Sequence, residues 1–262
     1  CIRNRHIRRH TFKFRSTDVL LNRGNREVIS FWDEYEGNIT KEFKSIPKSN
    51  FLTGTYIKRA LSPNNLSFVK KAMEKFKDDP HLDKLSEPEV IINSIPEGQK
   101  YSMNSLQQFS YIKELEKHID LKEVNHVTDF GAGYGNLCRI WHEVLDYKGT
   151  YTSVDLPTMH EIQKHFLDFD IEYKNWKEDL TPPNKSLFVA TFSISECSME
   201  IRDKVEEDIQ KHDYIFIIHN QQFDGIDNLV WGKDLVKRLD NHNTEYFFED
   251  ISEKWWLIGR RK

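Results

Sequence analysis

The chain has 262 residues, 38% hydrophobic and 31% charged, the balance of a globular protein with ample chain for a core. A formal net charge of −4 argues against a generic nucleic-acid binder, no run of about 18 apolar residues offers a membrane-spanning helix, and no signal peptide is visible. The three cysteines, Cys1, Cys138 and Cys197, form no CxxC pair and are odd in number. Neither a disulfide framework nor a zinc site is therefore expected, and Cys138 and Cys197 read as small apolar residues in a reducing cytoplasm. The chain opens on Cys1 rather than Met, which points to a domain of a larger polypeptide.

Residues 1–15 carry Arg3, Arg5, Arg8, Arg9, Lys13 and Arg15 and no acid. Such an arm is a solvated tail or linker end, or else a contact for phosphates, a peripheral membrane surface or a partner. Between 16 and 100 the runs Val28–Trp32 and Phe51–Ile57 fit helix or strand equally. Asn65 followed by Leu66, Phe68, Val69, Met73 and Phe76 predicts a capped amphipathic helix ending near Pro80. Pro88 and Pro96-Glu97-Gly98, flanking Val90-Ile91-Ile92, mark a linker-like passage. Residues 1–100 thus read as a basic arm and mostly helical cap, and 101–262 as the core.

From Tyr101 to Ile119, apolar residues recur at three- and four-residue steps (Met103, Leu106, Phe109, Ile112, Leu115, Ile119), which predicts a helix with Ser105, Gln107, Gln108 and Tyr111 on its other face. Strands and helices then alternate. Strands are predicted near 125–130, 150–155, 171–174, 187–192 and 214–218. The intervening helices carry Leu137, Ile140, Trp141 and Val144; Met159, Ile162 and Phe166; and, capped by Ser198, Ile201, Val205 and Ile209. A last helix through Leu229, Trp231, Leu235 and Val236 leads to strands near 245–248 and 255–258. Their short link permits only an antiparallel hairpin. The fold expected is α/β: a Rossmann-like, doubly wound parallel sheet closed by an antiparallel C-terminal hairpin.

In such a sheet ligands sit beyond the carboxyl ends of the strands. The first predicted strand ends in Asp129-Phe130-Gly131-Ala132-Gly133-Tyr134-Gly135. Glycines there admit unusual backbone angles and close ligand approach, and the helix start favours electronegative atoms. Dinucleotide folds use G-x-G-x-x-G on a pyrophosphate. Here the spacing is D-x-G-x-G-x-G, and its acid suits a cationic ammonium group while repelling a pyrophosphate. Asp155, ending the second strand before Leu156-Pro157, accepts ribose hydroxyls or shapes a turn. Glu178 and Asp179 follow the third strand. Thr191, Phe192, Ser193, Ser195 and Glu196 follow the fourth; Glu196 could take a hydroxyl proton, bind sugar hydroxyls, or favour a helix N-terminus. His219, Asn220 and Gln221 follow the fifth, where a histidine could act as general base. Trp176, Trp231, Trp255 and Trp256 could stack on a sugar or belong to the core. No diagnostic metal-ligand spacing is present, and no metal is expected.

The glycine segment resembles motif I of class I S-adenosylmethionine (SAM)-dependent methyltransferases. Together with Val154-Asp155-Leu156-Pro157, Ala190–Glu196, Phe223-Asp224-Gly225-Ile226-Asp227-Asn228 and the lead-in Met103-Asn104-Ser105-Leu106, it resembles the sugar O-methyltransferase family of bacterial polysaccharide clusters over roughly residues 100–230. The resemblance implies a SAM-dependent enzyme methylating a sugar hydroxyl of a glycan acceptor. It places SAM on Asp129, Gly131, Ala132, Gly133, Tyr134, Gly135, Asp155, Leu156, Thr191, Phe192 and Ser193, with Asp179 near the adenine. The acceptor would meet Ser195, Asn220 and Gln221, with His219 and Glu196 as catalytic candidates. His219 departs from the aromatic residue expected at its position. Rival readings are another small-molecule methyltransferase, a NAD-dependent oxidoreductase, and a non-catalytic module that kept the fold as a scaffold.

Overall fold

The computed structural model describes residues 31–61, 66–86, 101–250 and 252–262. The basic arm, Val28–Ser30, the Asn65 cap and the Pro88–Gly98 passage lie outside the described residues.

The strands are β1 (His126–Phe130), β2 (Thr150–Val154), β3 (Glu172–Lys174), β4 (Ser186–Thr191), β5 (Tyr214–His219), the two short strands β6 (Gln222–Phe223) and β7 (Ile226–Asp227), then β8 (His242–Glu249) and β9 (Lys254–Arg261). Seven of them form one sheet in the order β3-β2-β1-β4-β5-β9-β8. The pairs among β1 to β5 are parallel, and β9 runs antiparallel to both β5 and β8. This is the doubly wound sheet with an antiparallel closing hairpin that the sequence predicts. The last two strands are longer than their apolar centres, because polar ends such as Asn243, Arg260 and Arg261 also join the ladder.

Side-chain alternation divides the core into two layers. Val127, Leu187, Val189, Phe216, Ile218 and Trp256 point to one face, and Phe188, Ala190, Ile215, Ile217 and Leu257 to the other. The helices are α1 (Phe31–Ser45), α2 (Thr55–Leu61), α3 (Leu66–Phe76), α4 (Met103–Leu115), α5 (Asn136–Arg139), α6 (Pro157–Phe166), α7 (Met199–Ile209) and α8 (Asn228–Arg238). The first face packs on residues of α1 to α6, including Ile39, Ile57, Phe68, Phe109, Leu137 and Ile162; the second packs on α7 and α8 through Val205, Ile209, Trp231 and Leu235. Strands buried on both faces need unbroken apolar runs, which β4 and β5 supply. The helix expected after the glycines departs from regularity: Leu145 bonds back to the Ile140 carbonyl in a π turn over Ile140–Val144.

The amino-terminal helices join the same core. Glu42 of α1 accepts from the first backbone N–H groups of α2, at Tyr56 and Ile57, where a helix start leaves donors unpaired. Phe51 packs edge-on to Tyr134 and Phe166. Ser198 holds the N-cap position of α7 without the expected side-chain bond. Asp227 does cap α8, accepting from Leu229 and Val230.

A buried polar chain crosses the sheet near the amino-terminal ends of its strands. His212 Nδ1 meets the Asp208 carbonyl at 2.8 Å, so Nδ1 carries the proton and Nε2 accepts from Thr128, 2.9 Å away. Thr128 in turn accepts from His126 Nε2, leaving His126 Nδ1 to accept from Thr150. Burial holds His212 at a pKa of about 4, below its ordinary 6.5. A depressed folded-state value means the stabilisation is complete above pH 6.5 and is lost as pH falls toward 4. Between pH 7 and 5 this group should remove about 2 kcal/mol of stability. Denaturant unfolding at both pH values should show a correspondingly smaller loss for His212→Gln; an unchanged loss would refute the assignment.

Candidate functional site

Beyond β1 the backbone turns through Gly131 (φ 75) and Gly133 (φ 60). A Cβ at Gly131 would stand 2.1 Å from the Ser193 Cβ, and the Ser193 hydroxyl donates to the Phe130 carbonyl. The end of β4 is thereby pressed against the glycine loop. Asp155 ties the loop from β2: its Oδ2 accepts from Gly133 N at 2.9 Å and its Oδ1 from Leu156 N at 2.8 Å. Gln163 donates to the Gly133 carbonyl at 2.7 Å. The Tyr134 ring is buried on Phe166, 4.8 Å between centroids. Its hydroxyl donates to Asn104 Oδ1 at 2.9 Å, and Asn136 Nδ2 donates to the same oxygen at 2.8 Å. Asn104, which the sequence reading gave no role, therefore locks α4 to the loop. Gly135 (φ 92) starts α5 and stands against Leu167 rather than on the cleft wall.

The loop opens on a cleft of about 1180 Å³, above the roughly 300–1,000 Å³ typical of single small-ligand sites. Its walls come from the loop, from Gln107 and Gln108 of α4, from Glu36, Arg59 and Leu61 of the amino-terminal helices, and from the ends of β2, β4 and β5. Asp129 lies on this wall and is 1% exposed. Tyr151 donates to its Oδ2 at 2.7 Å, while Oδ1 is buried without a hydrogen-bond partner among the described residues. Burial raises the Asp129 carboxyl to about 7 against the opposing Tyr151 bond. Asp155 is also raised to about 7, by burial first and then by the charges of Asp129 and Glu36, against its two backbone bonds. Two such carboxyls near one loop form a site in which a cation restores both charges.

The ends of β4, β5 and β9 build the other half. Thr191, Phe192, Ser193, Glu196 and Asn220 line the cleft, as the sequence predicts, and so does Leu156. Phe192 takes a positive φ of 75, which turns the chain into the short helix Ser193–Glu196. Burial raises the Glu196 carboxyl to about 7, partly countered by Lys254. Lys254, from distant β9, was not foreseen; its Nζ donates to Asn220 Oδ1 at 3.0 Å. Asp224 and Gly225, with φ of 44 and 79, turn the β6–β7 ribbon over the same cleft. An Asp-Gly pair is the signal that could have revealed this ribbon.

Besides Gly135, four expected site residues are placed elsewhere. His219 is fully buried. Its Nδ1 donates to the Asn220 carbonyl at 2.9 Å, leaving Nε2 to accept from the Tyr246 hydroxyl at 3.0 Å. With both nitrogens engaged, and burial lowering its pKa, it cannot reach an acceptor as a base. Ser195 is buried and donates to the Phe192 carbonyl, 2.6 Å away. Gln221 is exposed and off the cleft wall. Asp179 is exposed and accepts from Thr181 N and Oγ1; the wall there is Asn175, Trp176 and Lys177. Tyr246→Phe leaves His219 Nε2 without its donor and should cost about 1–3 kcal/mol in denaturant unfolding. A cost near zero would show that the bond does not contribute.

No family model and no curated protein matches the chain. Among solved structures it is similar to human N-acetylserotonin methyltransferase in complex with SAM (11% identity, 77% of this chain and 73% of that one, TM-score 0.42). It is also similar to a SAM-dependent methyltransferase from Aquifex aeolicus (15%, 62% and 94%, 0.48) and to an O-methyltransferase family protein from Burkholderia thailandensis (12%, 75% and 71%, 0.42). The strand order itself defines the fold as the Rossmann-like sheet of class I methyltransferases.

Proposed function

We propose that the protein is a SAM-dependent O-methyltransferase whose acceptor is a sugar hydroxyl of a glycan. The observation that carries the cofactor assignment is the buried, unpartnered Oδ1 of Asp129 on a cleft wall beside the glycine loop. A group desolvated in this way is costly unless a ligand completes it. When bound, SAM supplies an electrophilic methyl group on a sulfonium.

The chain's own residues do the rest. Asp129 Oδ1 meets the cofactor's ammonium. Asp155, whose oxygens keep further lone pairs beyond their backbone bonds, receives ribose hydroxyls. Asn175, Trp176 and Lys177, which line the cleft, take the adenine end in place of Asp179. On the acceptor side Glu196 replaces His219 as the group that takes the hydroxyl proton, because it lies on the cleft wall with a pKa near neutrality. The sugar assignment is supported by the motif resemblance, whose Phe223–Asn228 segment forms the ribbon over the acceptor half.

The test is SAM turnover with a panel of mono- and oligosaccharides, read as S-adenosylhomocysteine release and as the mass gain of one methylene on the sugar. Methylation of a sugar hydroxyl, lost in Glu196→Gln with SAM binding retained, supports the reading. Turnover confined to non-sugar acceptors would replace the acceptor class.

A further inference from the structure

We propose that Lys254 is the partner of Glu196 in activating the acceptor: its ammonium, anchored on the shared cleft wall by Asn220, supports the Glu196 carboxylate and stabilises negative charge developing on the acceptor oxygen. The inference rests on the methyltransferase reading and adds a residue from a strand outside its motifs.

Its geometry is specific. Lys254 begins β9, whose antiparallel pairing with β5 brings it beside the end of β5. It is half-buried and lines the same cleft as Glu196, Asn220 and Phe192. Its Nζ stands 5.7 Å from the centroid of the Phe192 ring and donates to Asn220 Oδ1 at 3.0 Å. An ammonium has three donors, and Asn220 is the one hydrogen-bond acceptor of Nζ among the described residues. The remaining donors are available to a ligand. Asn220 is in turn fixed through its carbonyl by His219, which Tyr246 holds. His219 therefore acts as a positioning residue for the lysine's anchor.

The charges agree with the geometry. Burial lowers Lys254, while Glu253 and Glu196 support its charge. Lys254 is the charged group acting on Glu196. Cys197 beside it is raised to about 12, by burial first, with Arg202 opposing and Glu196 and Asp155 adding, so the thiol stays neutral. In the step, the acceptor O–H bond breaks and its proton passes to the Glu196 carboxylate. The acceptor oxygen's electron pair forms the new bond to the methyl carbon, and the carbon–sulfur pair remains on sulfur. Glu196 returns its proton to solvent after product leaves.

The test follows the carboxyl carbon of Glu196 by NMR against pH in the unliganded protein, assigned with Glu196→Gln. A midpoint near 7 in the wild type should move up by roughly one pH unit in Lys254→Met. It should return in Lys254→Arg, with both variants binding SAM as the wild type does. A midpoint unmoved in a folded Lys254→Met overturns the pairing. Failure of the wild type to bind SAM would instead remove the methyltransferase reading, whatever Glu196 does.

Discussion

Gly131→Ala should abolish detectable SAM binding and destabilise the protein by several kcal/mol. Two costs combine at this position. An alanine held at φ 75 loses roughly 1–2 kcal/mol from backbone strain alone. Its Cβ would also lie 2.1 Å from the Ser193 Cβ, and Ser193 cannot retreat without breaking its bond to the Phe130 carbonyl. The loop and the end of β4 must separate, which displaces both halves of the cleft. Gly225→Ala isolates the strain term: φ is 79, but nothing lies within 4 Å of the added Cβ. Calorimetric titration and thermal unfolding of both variants decide the matter. SAM binding by Gly131→Ala within about threefold of wild type would contradict the close packing described, since a threefold change is under 1 kcal/mol.

Arg202→Met should cost about 3–5 kcal/mol, because it orphans buried acceptors worth roughly 1–3 kcal/mol each. Arg202 is 1% exposed. It donates to the Cys197 carbonyl at 3.0 Å, the Ser195 carbonyl at 2.5 Å and Asn228 Oδ1 at 2.8 Å, and lies 4.8 Å from the Trp231 ring centroid. All three bonded acceptors are neutral, so the planar fork and the stacked ring hold this charge. The fork also fixes the turn that carries Glu196. Arg202→Lys, which offers a point charge in place of a fork, should recover only part of the stability. Hydrogen exchange should quicken at residues 193–197 in both variants. A stability change below about 0.5 kcal/mol, the range of an ordinary surface substitution, would mean that relief of the buried charge outweighs the lost bonds.

The fold was legible because β4 and β5 are apolar runs and D-x-G-x-G-x-G marks the first crossover. The site was legible only where one residue's place along a strand determined it. Asp129, Asp155 and Thr191 to Ser193 stand at strand ends and reach the cleft. His219 also stands at a strand end, but period-two alternation places it with Ile215 and Ile217 on the face covered by α8. That parity was readable and points away from a catalytic role. Lys254 was not readable, because its position depends on the pairing of β9 with β5. Asn104 was hidden for a similar reason: its value lies in bonds to Tyr134, Asn136 and Leu61, which only the packed helices bring together.

The most direct measurement is calorimetric titration of SAM, S-adenosylhomocysteine and NAD into the wild type, Asp129→Asn and Asp155→Ala, at pH 8 and pH 6. The account predicts binding of the first two ligands on the order of micromolar and none of NAD. Asp129→Asn should weaken binding roughly 10- to 100-fold, the worth of one hydrogen bond to a charged group. A bound cation favours the ionised carboxyls, so wild-type binding should be tighter at pH 8, where groups titrating near 7 are already charged. A folded wild type that binds neither SAM nor S-adenosylhomocysteine at either pH would contradict the account and leave the domain a scaffold.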